Sequence, residues 1–246
     1  MTFSPLVFFH IWAALTGVLF GLAALSFRKG SRLHRMFGNV FFVSMLTMSA
    51  SAAYMAAFVK PEMMNVLMGV LTFYLVATGW LTVIRKEGES GRLEFALMLV
   101  ALADGAGGVF LGLETANSAS GLKDGYHAAG YFVAGSVALL FAGFDVRTFI
   151  RGSASGARRI ARHLGRMCLA LLIATASLFL GQPRLFPPSI RGTAIVFVPV
   201  VAVIVVTIYW LIRVRFAKSF RKALTTSRPG GAGTFTALNE LKSGAD

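Results

Sequence analysis

The sequence predicts an all-α polytopic membrane protein, a helical bundle with seven transmembrane helices, and three observations lead there. Of the 246 residues, 56% are hydrophobic and only 14% are charged, and the mean hydropathy is +0.71. This composition is too apolar for a water-soluble domain of this size. Seven apolar runs approach the roughly 20 residues that a helix needs to cross about 30 Å of hydrocarbon. Lys and Arg gather between alternate runs, as topology signals do.

The predicted helices follow one another with short connections. They are Ser4–Phe27, Arg35–Phe58, Glu62–Ile84, Leu93–Leu113, Tyr126–Ile150, His163–Gly181 and Thr193–Ile212. The first apolar run begins at once, without a basic segment before it, so we expect no cleavable signal peptide. Pro199 predicts a kink in the last helix.

The formal net charge of +14 is explained by topology, because the basic residues lie between apolar runs, and we expect no nucleic-acid partner. All but four of the 24 Lys and Arg residues flank the first, third and fifth connections or follow the last helix. The four on the other side are Lys60, Lys123, Arg184 and Arg191. The positive-inside rule therefore predicts an external N-terminus, a cytoplasmic C-terminus and a multi-pass protein of a bacterial inner membrane.

Two regions are expected: a transmembrane domain over 1–216, and over 217–246 a basic juxtamembrane segment followed by a disordered cytoplasmic tail. The stretch from Arg213 to Lys222 is basic with interleaved phenylalanines, which favours contact with anionic lipid at the cytoplasmic face. Cys168 is the only cysteine and lies within an apolar run, so we expect a free buried thiol and no disulfide.

The four histidines are the best clue to chemistry. They are His10, His34, His127 and His163, each near the end of a predicted helix. Topology places His10 and His127 at the outer face, and His34 and His163 at the first turns of their helices at the inner face. Helices 1–2 resemble helices 5–6, because each pair has an outer histidine, a basic loop and an inner histidine among arginines. A parallel repeat of this kind would place His10 opposite His127 and His34 opposite His163.

Our first hypothesis is a di-haem b-type electron-transfer protein with these two ligand pairs, because imidazole is a good axial ligand for haem iron. Four basic residues near the inner pair would bind haem propionates: Arg32, Arg35, Arg162 and Arg166. Four glycines would let a flat macrocycle approach the backbone: Gly17, Gly21, Gly130 and Gly135. A quinone or another redox partner would exchange electrons with the haems.

Two other hypotheses stay open. Asp104 lies near mid-bilayer in the fourth helix, among glycines, and an ionisable residue at that depth is a functional candidate for proton-coupled transport. A non-catalytic assembly or scaffold protein fits the short loops and the lack of a soluble domain. A homodimer is compatible with each hypothesis, and the sequence does not decide whether the protein is an enzyme.

Two acidic features complete the prediction. Asp145, at the inner end of the fifth helix, has Arg147 or the arginines around His163 as its expected partners. Glu87, Glu89 and Glu94 are expected to be solvated counterparts of the arginines beside them. Few carboxylates and one cysteine argue against a tight zinc or copper site at the histidines.

The segment Lys29-Gly30-Ser31-Arg32-Leu33-His34-Arg35-Met36-Phe37-Gly38-Asn39 resembles the signature of a family of bacterial multi-pass membrane proteins known only as a domain of unknown function. The stretches Arg162–Met167 and Phe179–Gln182, leading into Phe186-Pro187, are similar to its second half. The resemblance extends to about Phe216. It implies an inner-membrane location and a helical bundle, and it implies no activity.

Overall fold

A computed structural model of the chain describes residues 4–86, 89, 91–152, 155–182 and 185–226. Seven of its helices are long and apolar enough to cross a membrane, which confirms the predicted architecture. Their bounds are α1 Pro5–Ser26, α2 Arg32–Tyr54, α3 Met63–Ile84, α4 Arg92–Ala116, α5 Ala128–Arg151, α6 Gly156–Phe179 and α7 Val198–Thr226. The expected disordered tail lies, from residue 227 onward, outside the described residues.

Short irregular elements join or extend these helices. A π-helical turn, Met55–Val59, continues α2, and a 3-10 turn, Ala194–Phe197, precedes α7. Between α4 and α5 a hairpin of two antiparallel strands, β1 Leu122–Lys123 and β2 Tyr126–His127, turns the chain back.

The two helix bounds that differ most from the prediction do so because hydropathy marks only the hydrocarbon-level part of a helix. α6 begins at Gly156, seven residues before His163, since a basic amphipathic turn continues the hydrogen bonding beyond the apolar run. α7 runs to Thr226 for the same reason. Pro199, where we predict a kink, lies in the first turn of α7, directly after the 3-10 turn, so its missing N–H removes no hydrogen bond within α7.

α3 is the centre of the bundle and packs against α2, α4, α5 and α6. Its Tyr74, Leu75 and Val76 are fully buried and join Met45 of α2 and Leu171 of α6 in the main core. α1 packs on α2 and α6, whereas α7 packs on α6. The seven helices thus form one core around α3, with α1 and α7 at one side.

α4 and α5 form the closest pair of helices, along a seam of glycines. A Cβ atom added at Gly135 would lie 2.8 Å from the carbonyl oxygen of Gly105 and 2.8 Å from the backbone nitrogen of Val109. One added at Gly108 would lie 2.7 Å from the Cα of Gly135. Only glycine permits this backbone approach, which is typical of membrane helix contacts.

The bundle has two ends, the basic end and the opposite end. The basic end carries the connections 27–31, 85–91 and 152–155 and the C-terminal half of α7. The opposite end carries the first residue of α1, the β-hairpin and the connection between α6 and α7.

Candidate functional site

The connection between α1 and α2 explains the local role of the Lys29–His34 motif. Gly30 adopts φ +80°, a conformation that side chains rarely take, and so allows the reversal. The hydroxyl oxygen of Ser31 caps α2 by accepting from the backbone N–H of His34 at 3.2 Å. Lys29 Nζ donates to the carbonyl of Leu25 at 2.7 Å and to that of Ala24 at 3.2 Å. The motif therefore satisfies unpaired backbone groups of both helices.

His34 is the third residue of α2 and reaches back to α1, where its Nδ1 donates to the carbonyl of Ala24 at 3.0 Å. His163 makes the equivalent bond to α3, because its Nδ1 donates to the carbonyl of Gly79 at 2.8 Å. The absent side chain of Gly79 lets α6 approach: a Cβ there would lie 3.2 Å from the Cβ of Arg166. The predicted position of His163 is the first turn of α6. The helix begins earlier, at Gly156, so His163 lies about 10 Å beyond its start.

His34 and His163 both lie at the basic end, where each ring hydrogen-bonds to a backbone carbonyl of a neighbouring helix. The two rings lie within range of direct electrostatic interaction with each other and with Lys29. The Lys29 ammonium also lies 4.4 Å from the centre of the Trp210 ring, which ties α7 to the site. Burial lowers the pKa of Lys29 from its ordinary value. Carbonyls of α1 and α3 therefore accept hydrogen bonds from the two imidazoles, and Lys29 links the same end to α7.

The outer histidines are placed differently from each other. His10 is half-buried, and its Nδ1 lies 3.1 Å from the carbonyl of Met48 and 2.9 Å from the hydroxyl of Ser51, both on α2. His127 is exposed and stands at the N-cap of α5 without a side-chain capping bond. α1 packs on α2 and α6, whereas α5 packs on α4 and α3. His10 and His127 therefore lie on helices that pack on different neighbours.

The hairpin next to His127 has a structural role. Asp124, at φ +52°, accepts from the backbone N–H of Met63 at 2.7 Å and so caps α3. Burial raises the pKa of the neighbouring Tyr126, and the carboxylates of Glu62 and Asp124 raise it further. His127 thus lies in a solvated polar loop rather than in an apolar site.

Three histidines share one hydrogen-bonding pattern. In His10, His34 and His163 the Nδ1 atom meets a backbone carbonyl of a neighbouring helix. A carbonyl oxygen can only accept, so Nδ1 carries the proton and a neutral ring keeps its lone pair on Nε2. Metal-binding histidines commonly have this arrangement, because the second bond fixes the tautomer and orients the ring.

The arginines near the inner histidine pair differ in their burial and in their partners. Arg162 and Arg166 both pair with Asp145 of α5, and the Arg162 Nη2 lies 2.8 Å from the carboxylate. Arg166 is 1% exposed. Arg32 and Arg35 are exposed in the first turn of α2. The expected pairing of Asp145 with the arginines around His163 is therefore confirmed, and these two guanidinium groups already have an anionic partner.

The network around Asp145 includes residues that the sequence analysis missed. Tyr74 donates its hydroxyl to Asp145 Oδ2 at 2.5 Å, and Arg166 also contacts the hydroxyl of Thr78. Both residues are fully buried on α3. The sequence signal for this part of the network was the spacing of the tyrosine and the threonine within a long apolar run. They are four residues apart, which places both on one helix face.

Glu94 also differs from its prediction. It is 6% exposed, pairs with Arg85 and accepts from the backbone N–H of Gly91 at 3.0 Å. The prediction of a solvated Glu94 is wrong, because a glutamate in the first turn of α4 folds back on the helix N-terminus. Glu89 is exposed, and Glu87 lies outside the described residues.

The glycines proposed to admit a macrocycle lie against other parts of the chain. A Cβ at Gly17 would meet Met45, one at Gly21 would meet Phe41 and Leu171, and one at Gly130 would meet Met64. Gly135 belongs to the glycine seam. All four therefore serve contacts within the bundle.

Asp104 lies at the middle of α4 and is half-buried. Among the described residues no hydrogen bond or ion pair is found for its carboxylate, in contrast to Asp145. No group of three or more His, Cys, Asp or Glu in the described part of the chain is arranged to hold a metal ion. A haem iron needs only two protein ligands, so this finding leaves the histidine pair as the candidate.

Comparison with known proteins gives one match. Residues 7–116 match the model of a family described as a predicted membrane protein, DUF2306, a domain of unknown function. The match includes α1–α4 and the Lys29–Asn39 segment but not the Arg162–Met167 stretch. No curated protein and no solved structure matches the chain. The chain is therefore a multi-pass membrane protein whose first four helices are similar to this family.

Proposed function

We propose that this protein transfers electrons within a membrane and holds a b-type haem iron between His34 and His163. The observation that carries the proposal is the pair of Nδ1 bonds to Ala24 and Gly79. These bonds leave the Nε2 lone pairs of both rings available for coordination.

The surroundings of the pair support the same ligand. His34 and His163 belong to different helices, which is how bundles commonly hold a haem, and their rings lie within electrostatic range of each other. Arg35, one residue after His34, is exposed, and no bond of its guanidinium group is found among the described residues. Arg35 and Lys29 would hold the propionates, in place of Arg162 and Arg166. A bound haem would supply one-electron chemistry, with a quinone of a bacterial inner membrane as partner.

The support for a second haem between His10 and His127 is weaker. His10 has the same Nδ1 arrangement, but His127 is exposed at the start of α5, and α5 packs on α3 and α4. We therefore retain one haem, at the basic end, as the proposed cofactor.

The test is the visible absorption spectrum of the full-length protein purified from a haem-replete host and reconstituted with haem. We expect a Soret band, and an α band that sharpens on reduction. His34→Ala and His163→Ala should each remove the low-spin spectrum. Leu33→Ala, on the exposed face of the same turn, should retain it. A protein that folds but shows no Soret band after reconstitution would contradict the proposal.

His127→Ala separates the one-haem and two-haem forms of the hypothesis. With one haem between His34 and His163, the haem-to-protein ratio should not change. A fall of about half would restore the outer pair as ligands.

Proton-coupled transport is a second candidate, favoured by Asp104 at the middle of α4, whose carboxylate has no partner in the described part of the chain. A pH-sensitive dye inside vesicles containing the protein should then report a proton flux that Asp104→Asn abolishes. Equal flux in protein-free vesicles would exclude this candidate.

A further inference from the structure

Asp104 is the ionisable residue whose surroundings the fold explains least. It is the thirteenth of the 25 residues of α4, about 18 Å from either end of the helix. This places the carboxyl group at the middle of the hydrocarbon, where lipid tails offer no hydrogen bonds. Among the described residues its carboxylate has no hydrogen-bond or ion-pair partner. An unsatisfied carboxyl at this depth is costly, so we expect a partner beyond the described residues of this chain.

The residues beside Asp104 form a face that can accept another helix. We call Val100, Ala103, Asp104 and Gly107 the Asp104 face of α4. Val100 is 46% exposed and Ala103 is exposed. A Cβ added at Gly107 would meet nothing within 4 Å. At Gly105 and Gly108 of the same helix, atoms of α5 occupy the space that a Cβ would take. The packing of this bundle therefore does not require a glycine at position 107. Small residues on such a face allow another helix to approach closely.

We propose that the Asp104 face is the interface of a homodimer, in which the two Asp104 carboxyl groups hydrogen-bond to each other. A protonated carboxyl group is both donor and acceptor, so it is complementary to its own copy. A twofold axis places identical residues opposite each other, which is what such a pair requires. Ala103 and Gly107 would let the two α4 backbones approach closely enough.

A second copy fits this face better than the alternatives do. Lipid provides no donor or acceptor at this depth. A cationic partner helix would have to bury its own charge in the hydrocarbon, while a carboxyl pair carries no charge. The proposal is independent of the haem hypothesis, because α4 carries neither His34 nor His163.

The experiment measures dimerisation of the full chain in phosphatidylcholine–phosphatidylglycerol vesicles by energy transfer between labelled copies at decreasing protein-to-lipid ratios. Asp104→Leu should raise the dissociation constant about five- to thirtyfold, the effect of one interhelical hydrogen-bond pair. Asp104→Asn should keep the dimer, because an amide is also donor and acceptor. Gly107→Leu should abolish it by blocking close approach.

Matched controls lie on α5. Gly143→Leu adds the same bulk at a glycine whose Cβ also meets nothing within 4 Å, and the dimer should persist. In a Cys168→Ser background, a cysteine at position 103 should cross-link on oxidation, and one at the exposed position 140 should not. The proposal is overturned if Asp104→Leu dimerises like the parent chain, if Gly143→Leu and Gly107→Leu weaken the dimer equally, or if the parent is a monomer throughout.

Discussion

At the scale of single residues, the best-defined feature is a carboxylate with two guanidinium groups inside a membrane bundle. Asp145 is fully buried and contacts Arg162, Arg166 and Tyr74. Buried charges are tolerated only when they are paired and hydrogen-bonded, and removing one partner leaves the others uncompensated. Arg162 Nε already lacks a partner among the described residues. The network therefore holds α3, α5 and α6 in one arrangement and depends on Asp145.

We predict that Asp145→Leu lowers the free energy of unfolding by about 3–5 kcal/mol, because the buried Arg166 and the partly buried Arg162 lose their counter-charge. Thermal unfolding in detergent, followed by circular dichroism, measures the change. Arg147→Ala is the control, since Arg147 is exposed two residues after Asp145 and makes no contact with the network among the described residues, and the variant should stay within about 0.5 kcal/mol of the parent.

Adding Arg166→Met to Asp145→Leu should recover part of the loss, because the pair of substitutions replaces charges by apolar groups. A double variant that is less stable than Asp145→Leu alone would show that Arg166 has another essential partner.

At the scale of elements, glycines decide how the helices meet. The seam between α4 and α5 places Gly135 against backbone atoms of Gly105, Gly108 and Val109. Backbone atoms cannot rotate away as side chains do, so the contact leaves no room for a methyl group. Gly30 acts differently, because its positive φ sets the reversal between α1 and α2.

Gly135→Ala should destabilise the protein by at least about 1–3 kcal/mol, since the added methyl group forces α4 and α5 apart. Gly143→Ala, on the same helix but in open space, should be neutral or slightly stabilising. The melting temperatures of the two variants, measured in the same detergent, test this prediction. Equal temperatures would show that the seam can relax.

At the scale of the whole molecule, the seven helices present their basic connections at one end. Arg159 strengthens that end, because its guanidinium group donates to the carbonyls of Thr82 at 2.7 Å and Val83 at 3.0 Å, in the last turn of α3. A cation at a helix C-terminus is favourable. The basic residues that predict the orientation of the protein and the two histidines His34 and His163 therefore lie at the same end of the bundle.

We predict that this end faces the cytoplasm, with the N-terminus outside. A reporter enzyme active only outside the cytoplasm should be active when fused before α1 or inserted at position 120, and inactive when fused after position 246. A thiol reagent that cannot cross the membrane should label a cysteine at position 120 in intact cells and spare one at position 29. The reverse pattern would contradict the positive-inside assignment.

Much of this architecture could be predicted from the sequence. Apolar run lengths located all seven spans, and of the two predicted pairings of Asp145 the one with the arginines around His163 is confirmed. The start of α6 could not be predicted, because its first turns are basic and hydropathy does not report helix hydrogen bonds beyond the hydrocarbon. The burial of Glu94 was missed because it depends on how its side chain folds back on α4.

The sequence by itself determined the number of spans and the end at which each histidine lies, because both follow from the lengths of apolar runs and the positions between them. Only the tertiary structure decided which histidines meet. Each helix can turn any face to any neighbour, since lipid is as apolar as a protein core and hydropathy does not select the buried face. The packing of the helices brought His34 and His163 within range of electrostatic interaction and left His127 exposed. The same packing left the Asp104 carboxylate without a partner among the residues that the structure describes.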